Sequence, residues 1–177
     1  MKRLQVSGRQ KTIESIWDWY EYHLRLSLLS KVGIQTKIVA GDPDVDARFY
    51  GMTLDEIDRF FRELDYLVMF DLMAATEAVV RLEYWTRVDN KHKDALSRAL
   101  RKLYRQKSLQ VKLDDDLLDL WSTLRPTLKD TIGDFKGALK FRHWLAHGRY
   151  WETTFARDYA PGDVFDICYN LRQAIEA

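Results

Sequence analysis

Apolar side chains recur every three or four residues along most of the chain, which is the spacing of amphipathic helices. After Thr12, a residue type that caps helices, this pattern predicts a first helix that ends at Gly33. Its apolar positions are Ile13, Ile16, Trp17, Tyr20, Leu24 and Leu28. Residues 39–50 lack the periodicity and contain Gly41, Pro43 and several aspartates, so they predict an acidic connecting loop.

A second, much longer helix is predicted to follow this loop. Thr53 and Glu56 have the spacing of a capping box, in which each side chain binds the other residue's backbone N–H. Apolar residues then continue at steps of three and four to about Val88, which corresponds to a helix of roughly 50 Å. Because its middle is apolar on all sides, we expect neighbouring helices, or partly a second copy of the chain, to wrap it.

The remaining sequence predicts four shorter helices. They run from about Lys91 to Gln106, from a cap at Asp114 or Asp115 to Leu124, from a point after Pro126 to Gly148, and from a cap at Asp163 to about Ala177. The predicted fold is therefore all-α, a compact bundle of about five or six helices with one long central helix. We expect a single domain over residues 1–177, with an N-terminal helix and acidic loop in 1–52 and a helical core in 53–177.

Composition narrows the class of protein. Apolar residues make up 46% and charged residues 31% of the chain, which is typical of a folded rather than a disordered protein. The single cysteine, Cys168, lies on a predicted apolar helix face, so a core thiol is favoured over a nucleophile and no disulfide framework is expected. No apolar run reaches the roughly 20 residues of a membrane span, and we expect a cytoplasmic protein without a membrane partner.

The formal net charge of +1 hides a strongly basic region. Between Arg87 and Lys112 there are nine lysines or arginines against two aspartates. Most of this excess lies on the predicted third helix, on Arg98, Arg101, Lys102 and Arg105. Such a face is often only solvated, but Tyr104 among the charges makes it a candidate surface for RNA.

The candidate chemistry is concentrated in residues 142–147, Arg-His-Trp-Leu-Ala-His, at the predicted end of the fifth helix. A guanidinium fits a phosphate through two parallel hydrogen bonds, and a histidine exchanges protons near neutral pH. Arg142 and His147 therefore suggest phosphodiester chemistry. RNA carries its own nucleophile in the ribose hydroxyl, so its cleavage needs proton transfer and charge stabilisation but no metal.

Structural readings of the same residues remain open. Arg142 and His147 can serve only to bind the last carbonyls of the helix. His143 and His147, one turn apart, can bind zinc, but no glutamate base and no third Cys or His lies nearby in the sequence, so neither a metal site nor a cofactor is predicted. Glu77 can pair with Arg81 on its own helix or support Arg142. Asp71 falls on the apolar stripe of the second helix, where a buried carboxylate needs a cationic or hydrogen-bonding partner.

An all-helical layout with Arg, a polar residue, three further residues and His at a helix end resembles the HEPN superfamily. The motif at 142–147 matches over its full length, and Met73 to Arg81 is similar to the helix of many members that carries an acidic residue, here Glu77. The resemblance covers about residues 54–177.

The resemblance implies a metal-independent endoribonuclease, often a toxin with a cognate antitoxin or an antiviral effector. Such enzymes act as homodimers whose two motifs meet in one cleft, with Arg142 and His147 as the catalytic residues here. Some relatives are non-catalytic RNA or nucleotide binders, and a helical interaction protein is a third alternative. Arg149 and Tyr150, directly after the motif, are further candidate RNA contacts. Toxin members silenced by nucleotidylation have a tyrosine two residues after the motif histidine, where this chain has Arg149, so that regulation is not implied.

On one ideal helix, residues five apart differ by about 140° in direction. Arg142 and His147 are therefore not expected to share one face of the fifth helix. A second copy of the chain can complete such a site, with the two motifs meeting around one cleft. His143 holds the variable polar position of the motif and can orient the phosphate or His147, which lies one turn away.

Overall fold

The computed structural model describes residues 8–108, 110–149 and 158–176. Over these ranges the chain forms six α-helices and no strand, which confirms the predicted all-α class. The helices are α1 (Ile13–Val39), α2 (Leu54–Asp89), α3 (Ala95–Lys107), α4 (Asp119–Leu124), α5 (Lys129–Ala146) and α6 (Pro161–Glu176). Short 3₁₀ turns at Ala47–Phe49 and Pro126–Leu128 and a π-helical turn at Leu113–Leu118 lie between them.

Helix α1 is longer than its sequence predicted. Its start is correct, since the Thr12 hydroxyl accepts the Ser15 N–H at 3.1 Å and the Ser15 side chain binds back to Thr12. The predicted end at Gly33 is wrong, because Gly33 keeps an ordinary helical conformation and the helix continues to Val39. Gly41, with φ of +67°, is the left-handed residue that ends it.

Helix α2 forms the centre of the bundle and contacts α1, α3, α5 and α6. Its capping box is present, with the Thr53 N–H donating to Glu56 Oε2 at 2.8 Å. No residue between positions 68 and 85 is exposed, so neighbouring helices of the same chain cover its apolar middle. The prediction of one long central helix is thereby confirmed.

The starts of α3, α4 and α6 differ from those predicted, whereas α5 begins after Pro126 as predicted. Helix α3 is capped by Asp94, whose carboxylate accepts the Ser97 N–H at 2.9 Å. Neither Asp114 nor Asp115 caps the next helical segment, which opens as a π-helical turn in which Asp116 accepts the Lys112 N–H at 2.9 Å. Asp163 lies in the first turn of α6 and reaches back to the Ala160 N–H at 3.0 Å.

Helix α5 is held by a buried stripe and stops sharply after the motif. Its buried residues are Ile132, Phe135, Ala138 and Phe141. The Gly148 N–H donates to the Leu145 carbonyl at 3.2 Å and the Arg149 N–H donates to the Trp144 carbonyl at 3.1 Å. With φ of +79° at Gly148, this is a Schellman motif, and it confirms Gly148 as the terminator. His147 is the capping residue immediately after the last helical turn.

Candidate functional site

A groove of about 660 Å³ runs along α5 between α2 and the π-helical turn before α4. Its lining residues are Glu77, Leu113, Asp114, Asp115, Lys136, Leu139, Lys140, Arg142, His143 and Trp144. The lining thus includes three basic and three acidic side chains, together with one histidine, two leucines and one tryptophan. Its volume is within the range of small-ligand sites in proteins.

The guanidinium of Arg142 is held at the wall of this groove. Its Cζ lies 5.1 Å from the centroid of the Phe70 ring, and Nη2 lies 3.8 Å from Glu77 Oε2. The buried Nε of Arg142 has no hydrogen-bond partner among the described residues. A ring face and one distant carboxylate orient the guanidinium while leaving part of its donor fork unsatisfied.

Glu77 joins Arg142 to the rest of the bundle. Its Oε1 accepts the Arg81 Nε–H at 2.8 Å, while its Oε2 faces Arg142. Arg81 in turn donates to the Val111 carbonyl at 3.4 Å. The two alternatives for Glu77, pairing with Arg81 and standing beside Arg142, are therefore both realised, and Arg81 compensates part of the carboxylate charge.

The two motif histidines lie together at the exposed end of α5. The ring centroids of His143 and His147 are 4.1 Å apart at an angle of 59°, and both residues are exposed. His143 lines the groove, whereas His147 is not among its lining residues. The structure therefore brings Arg142, His143 and Glu77 to one groove, with His147 just beyond its end.

Asp71 is not part of this arrangement. Its carboxylate is partly exposed and pairs with Lys11 Nζ at 2.5 Å, before the start of α1. Asp71 lies on the apolar stripe of α2 and was expected to need a cationic partner. That partner is Lys11, from the segment before α1, and not Arg142.

Arg149 is engaged in a structural contact. Its guanidinium makes two hydrogen bonds to Glu63, at 2.8 and 3.0 Å, and its Cζ lies 4.9 Å from the centroid of the Tyr66 ring. The hydrogen bonds that Arg149 donates to the Glu63 carboxylate raise the pKa of Arg149 above its ordinary value. The arginine therefore fastens the end of α5 to α2. The other candidate that follows the motif, Tyr150, lies outside the described residues.

None of the four basic residues of α3 lines the Arg142 groove. Arg98, Lys102 and Arg105 are exposed, and Arg101 donates to the His92 carbonyl at 2.8 Å. Lys102 lines a second groove together with Asp115, Asp116 and Asp119. Asp115 also lines the Arg142 groove, so the two grooves adjoin at an acidic residue.

Sequence reasoning missed Lys136 and Lys140, which line the groove on α5. A signal for them exists, because residues 136, 140, 143 and 147 follow the helical steps of four, three and four and so share a face. Lys136 pairs with Asp119 Oδ1 at 2.5 Å. The acids at 114 and 115 were considered only as caps, and no local pattern indicates that they line the same groove as α5.

The other titratable groups do not add a second reactive centre to this groove. Burial raises the pKa of the Cys168 thiol to about 12, which leaves it protonated at neutral pH and matches the expected core thiol. Among the described residues, no group of three or more His, Cys, Asp or Glu side chains has an arrangement that could hold a metal ion.

None of the described helices is long and apolar enough to span a membrane.

Comparisons of the chain with protein-family models, curated proteins and solved structures find no match.

Proposed function

We propose that this chain is a metal-independent endoribonuclease of the HEPN type. The observation that carries the proposal is the position of Arg142, partly unsatisfied at the wall of a 660 Å³ groove, with two exposed histidines in ring contact at the end of the same helix. A fixed cation beside a proton-transfer group is the minimal equipment for cleaving RNA through its own 2′-hydroxyl. A toxin or antiviral role, with a cognate antitoxin, is part of the proposal that rests on the resemblance alone.

In the proposed reaction the 2′-oxygen attacks the adjacent phosphorus and the bond from phosphorus to the 5′-oxygen breaks. His147 takes the proton of the 2′-hydroxyl, and the leaving 5′-oxygen receives a proton from a second acid, for which His143 or the His147 of a second copy is suited. Arg142 binds the phosphate oxygens, on which negative charge accumulates. The products are a 2′,3′-cyclic phosphate and a free 5′-hydroxyl.

Glu77 and Phe70 act as positioning residues in this proposal. A carboxylate 3.8 Å from Nη2 restrains the guanidinium without the two short hydrogen bonds that would occupy its fork. The Phe70 ring supports the guanidinium from one side. An arginine fixed in this way loses less conformational freedom when it binds a phosphate.

A second copy of the chain is proposed to complete the site. Arg142 lines the groove and His147 lies beyond its end, so one copy does not surround a phosphate with both residues. A twofold arrangement that brings two α5 ends together would place two arginines and two histidines around one cleft.

The decisive experiment is to incubate the full chain with end-labelled single-stranded RNA in excess chelator. We expect cleavage that persists without free metal and leaves 2′,3′-cyclic phosphate ends. His147→Ala should lower the rate by about 10²–10⁴-fold, the usual contribution of a general acid or base. His92→Ala, at another exposed histidine outside the groove, is the matched control and should retain the parental rate. Equal rates for His147→Ala and the parent would contradict the assignment of His147 as the residue that takes the 2′-hydroxyl proton.

A second candidate is a non-catalytic RNA- or nucleotide-binding module that uses the same groove. The observation in its favour is the balance of acidic and basic side chains in the lining. The carboxylates of Glu77, Asp114 and Asp115 repel the phosphates of a long RNA backbone. A groove with that balance and a tryptophan in its wall suits a single nucleotide better than a long polymer. Binding of nucleotide or RNA without any cleavage in the same assay would favour this candidate.

A further inference from the structure

Helix α1 has two apolar faces, of which only one is covered by its own chain. The covered face packs on α2, where Tyr20 donates to Asp65 at 2.7 Å and Lys31 pairs with Asp58 at 2.8 Å. The opposite side carries four exposed apolar residues, which we term the α1 stripe. They are Trp19, Tyr22, Leu26 and Leu29, and they expose 43%, 63%, 47% and 74% of their surfaces, respectively. Their spacing of three, four and three residues is that of a coiled-coil seam, and a continuous exposed stripe of this kind indicates an interaction surface.

We propose that the α1 stripe binds the α1 stripe of a second copy of this chain, in antiparallel orientation about a twofold axis level with residue 24. Trp19 then packs on the second copy's Leu29, and Tyr22 packs on the second copy's Leu26. Every layer of the contact combines one aromatic side chain with one leucine, so all layers have similar volume. Parallel pairing would place two tryptophans together at one end and two leucines at the other, which gives layers of unequal thickness.

The residues beyond the stripe have the same symmetry. The next two seam positions are Ser15 and Thr12 before it, and Gly33 and Thr36 after it. In the antiparallel arrangement Ser15 meets the second copy's Gly33 and Thr12 meets the second copy's Thr36, so small residues end the contact at both sides. A longer partner helix would find no apolar counterpart beyond these positions, whereas a second copy matches the stripe along its full length.

Charges along one edge of the stripe fit the same partner. Asp18, Glu21 and Arg25 are exposed on that edge, which therefore carries both signs. Antiparallel pairing brings the edge against itself. Arg25 of each copy comes within reach of the other copy's Glu21 and also lies near its Arg25, so two attractive pairs offset one repulsive pair. Opposite charges at the edges of a helical seam set partner choice and orientation.

The contact is expected to be reversible. The stripe covers about 15 Å of helix, and such a seam buries less than the roughly 800 Å² per partner of a standard stable interface. None of its four residues lines the Arg142 groove, so this inference does not depend on the proposed ribonuclease activity. A composite cleft at the ends of α5 would require a separate contact.

Sedimentation of the full chain between about 1 and 100 μM tests the contact, over the micromolar range in which transient complexes dissociate. Leu29→Glu should halve the mass of the assembly found for the parent, because it places a carboxylate in two of the layers. Its fold should persist, since Leu29 is 74% exposed, and circular dichroism checks this. Leu67→Glu, at a leucine of α2 that is 62% exposed, is the matched control and should keep the parental mass. A monomeric parent, or a folded Leu29→Glu variant with unchanged mass, would overturn the proposal.

Disulfide trapping tests the orientation. A mixture of Tyr22→Cys and Leu26→Cys chains should form a covalent dimer on mild oxidation, while each variant alone should not. The reason is that only the 22–26 pairs lie opposite each other, and residues with Cα atoms more than about 7 Å apart cannot form a disulfide. The buried native Cys168 should not contribute. Efficient cross-linking of either variant alone would show a parallel contact, and no cross-linking in the mixture would exclude this pairing; either result overturns the proposal.

Discussion

Arg142 shows how much of a residue's role depends on the few atoms around it. Two other arginines nearby make close ion pairs, since Arg149 donates two hydrogen bonds to Glu63 and Arg81 donates one to Glu77. Arg142 differs because its nearest carboxylate is 3.8 Å away and its buried Nε lacks a partner among the described residues. The buried Nε is out of reach of a phosphate, so the donors that Arg142 offers are those of its Nη atoms, which the distant Glu77 carboxylate does not occupy.

Replacing Arg142 by lysine tests whether the planar fork is needed. A lysine keeps the charge but not the two parallel hydrogen bonds, and it fits the Phe70 face less well. We expect Arg142→Lys to lower kcat by about 100-fold, the loss typical of removing one preorganised donor to a developing charge. Arg59→Lys, at an exposed position of α2, should have the parental rate in the same RNA assay. Full activity of Arg142→Lys would mean that a point charge suffices.

At the scale of elements, caps and terminators determine where the helices begin and end. Glycine is an example, because Gly33 lies inside α1 while Gly41 and Gly148 take left-handed conformations and end α1 and α5. The sharp end of α5 places His147 at the exposed cap beside His143. The capping groups of α3 are equally specific, and they can be tested by titration.

Because Asp94 caps α3, we expect the free energy of unfolding to depend measurably on pH in the acid range. Burial alone would raise the pKa of Asp94. The hydrogen bonds that Ser97 donates and the positive charge of the nearby Arg87 outweigh this effect and lower the pKa to about 2. A lowered folded-state pKa stabilises the protein above the unfolded value of 3.8, and this stabilisation is lost as the pH falls towards 2. Asp94→Ala should therefore reduce the free energy of unfolding by about 1 kcal/mol at pH 7.

Denaturant unfolding of Asp94→Ala and the parent at pH 7 and near pH 2 measures this difference. The gap between the two proteins should shrink at the lower pH, because about half of the parental Asp94 carboxylates are then protonated. Asp55→Ala, in the first turn of α2 but not its cap, serves as the comparison. A gap that does not change with pH would show that the Asp94 charge does not contribute through the cap.

At the scale of the whole molecule, the bundle leaves the motif incomplete within one chain. Helix α2 is wrapped by its own neighbours, so its apolar middle does not require a second copy. The reason to expect a second copy at the proposed active site is the separation of Arg142, in the groove, from His147, beyond its end. The α1 stripe is a different surface and would hold copies together without joining their grooves.

Mixing inactive subunits tests the composite site. Arg142→Ala and His147→Ala chains should each be inactive. Half of the dimers in a co-refolded equal mixture are mixed, and each keeps one of its two Arg142–His147 pairs, so the mixture should regain up to about a quarter of the parental activity. The two variants refolded separately and then assayed together without exchange provide the baseline. Recovery no greater than that baseline, or full parental activity of a chain diluted until monomeric, would show that each chain acts alone.

Much of the fold followed from the sequence because its determinants are local. Periodicity identified the helices, and the Thr12 and Thr53 caps and the Gly148 terminator were correct because each acts within one turn. The end of α1 and the start of the segment before α4 were wrong, since a glycine or an aspartate can terminate or cap a helix but need not do so. Which glycine ends a helix, or which aspartate caps one, depends on how the flanking helices pack. A few neighbouring residues of the sequence do not determine that packing.

The sequence by itself determined the helical class, the long central helix and the motif of Arg142, His143 and His147, because residue type and spacing are sufficient for these. Only the tertiary structure decided that Glu77 reaches Arg142, that Asp71 pairs with Lys11, that Glu63 pairs with Arg149 and that no basic residue of α3 lines the groove. It also left the outer face of α1 uncovered. These outcomes join residues far apart in the chain, and their partners are selected by the packing of whole helices rather than by any local pattern.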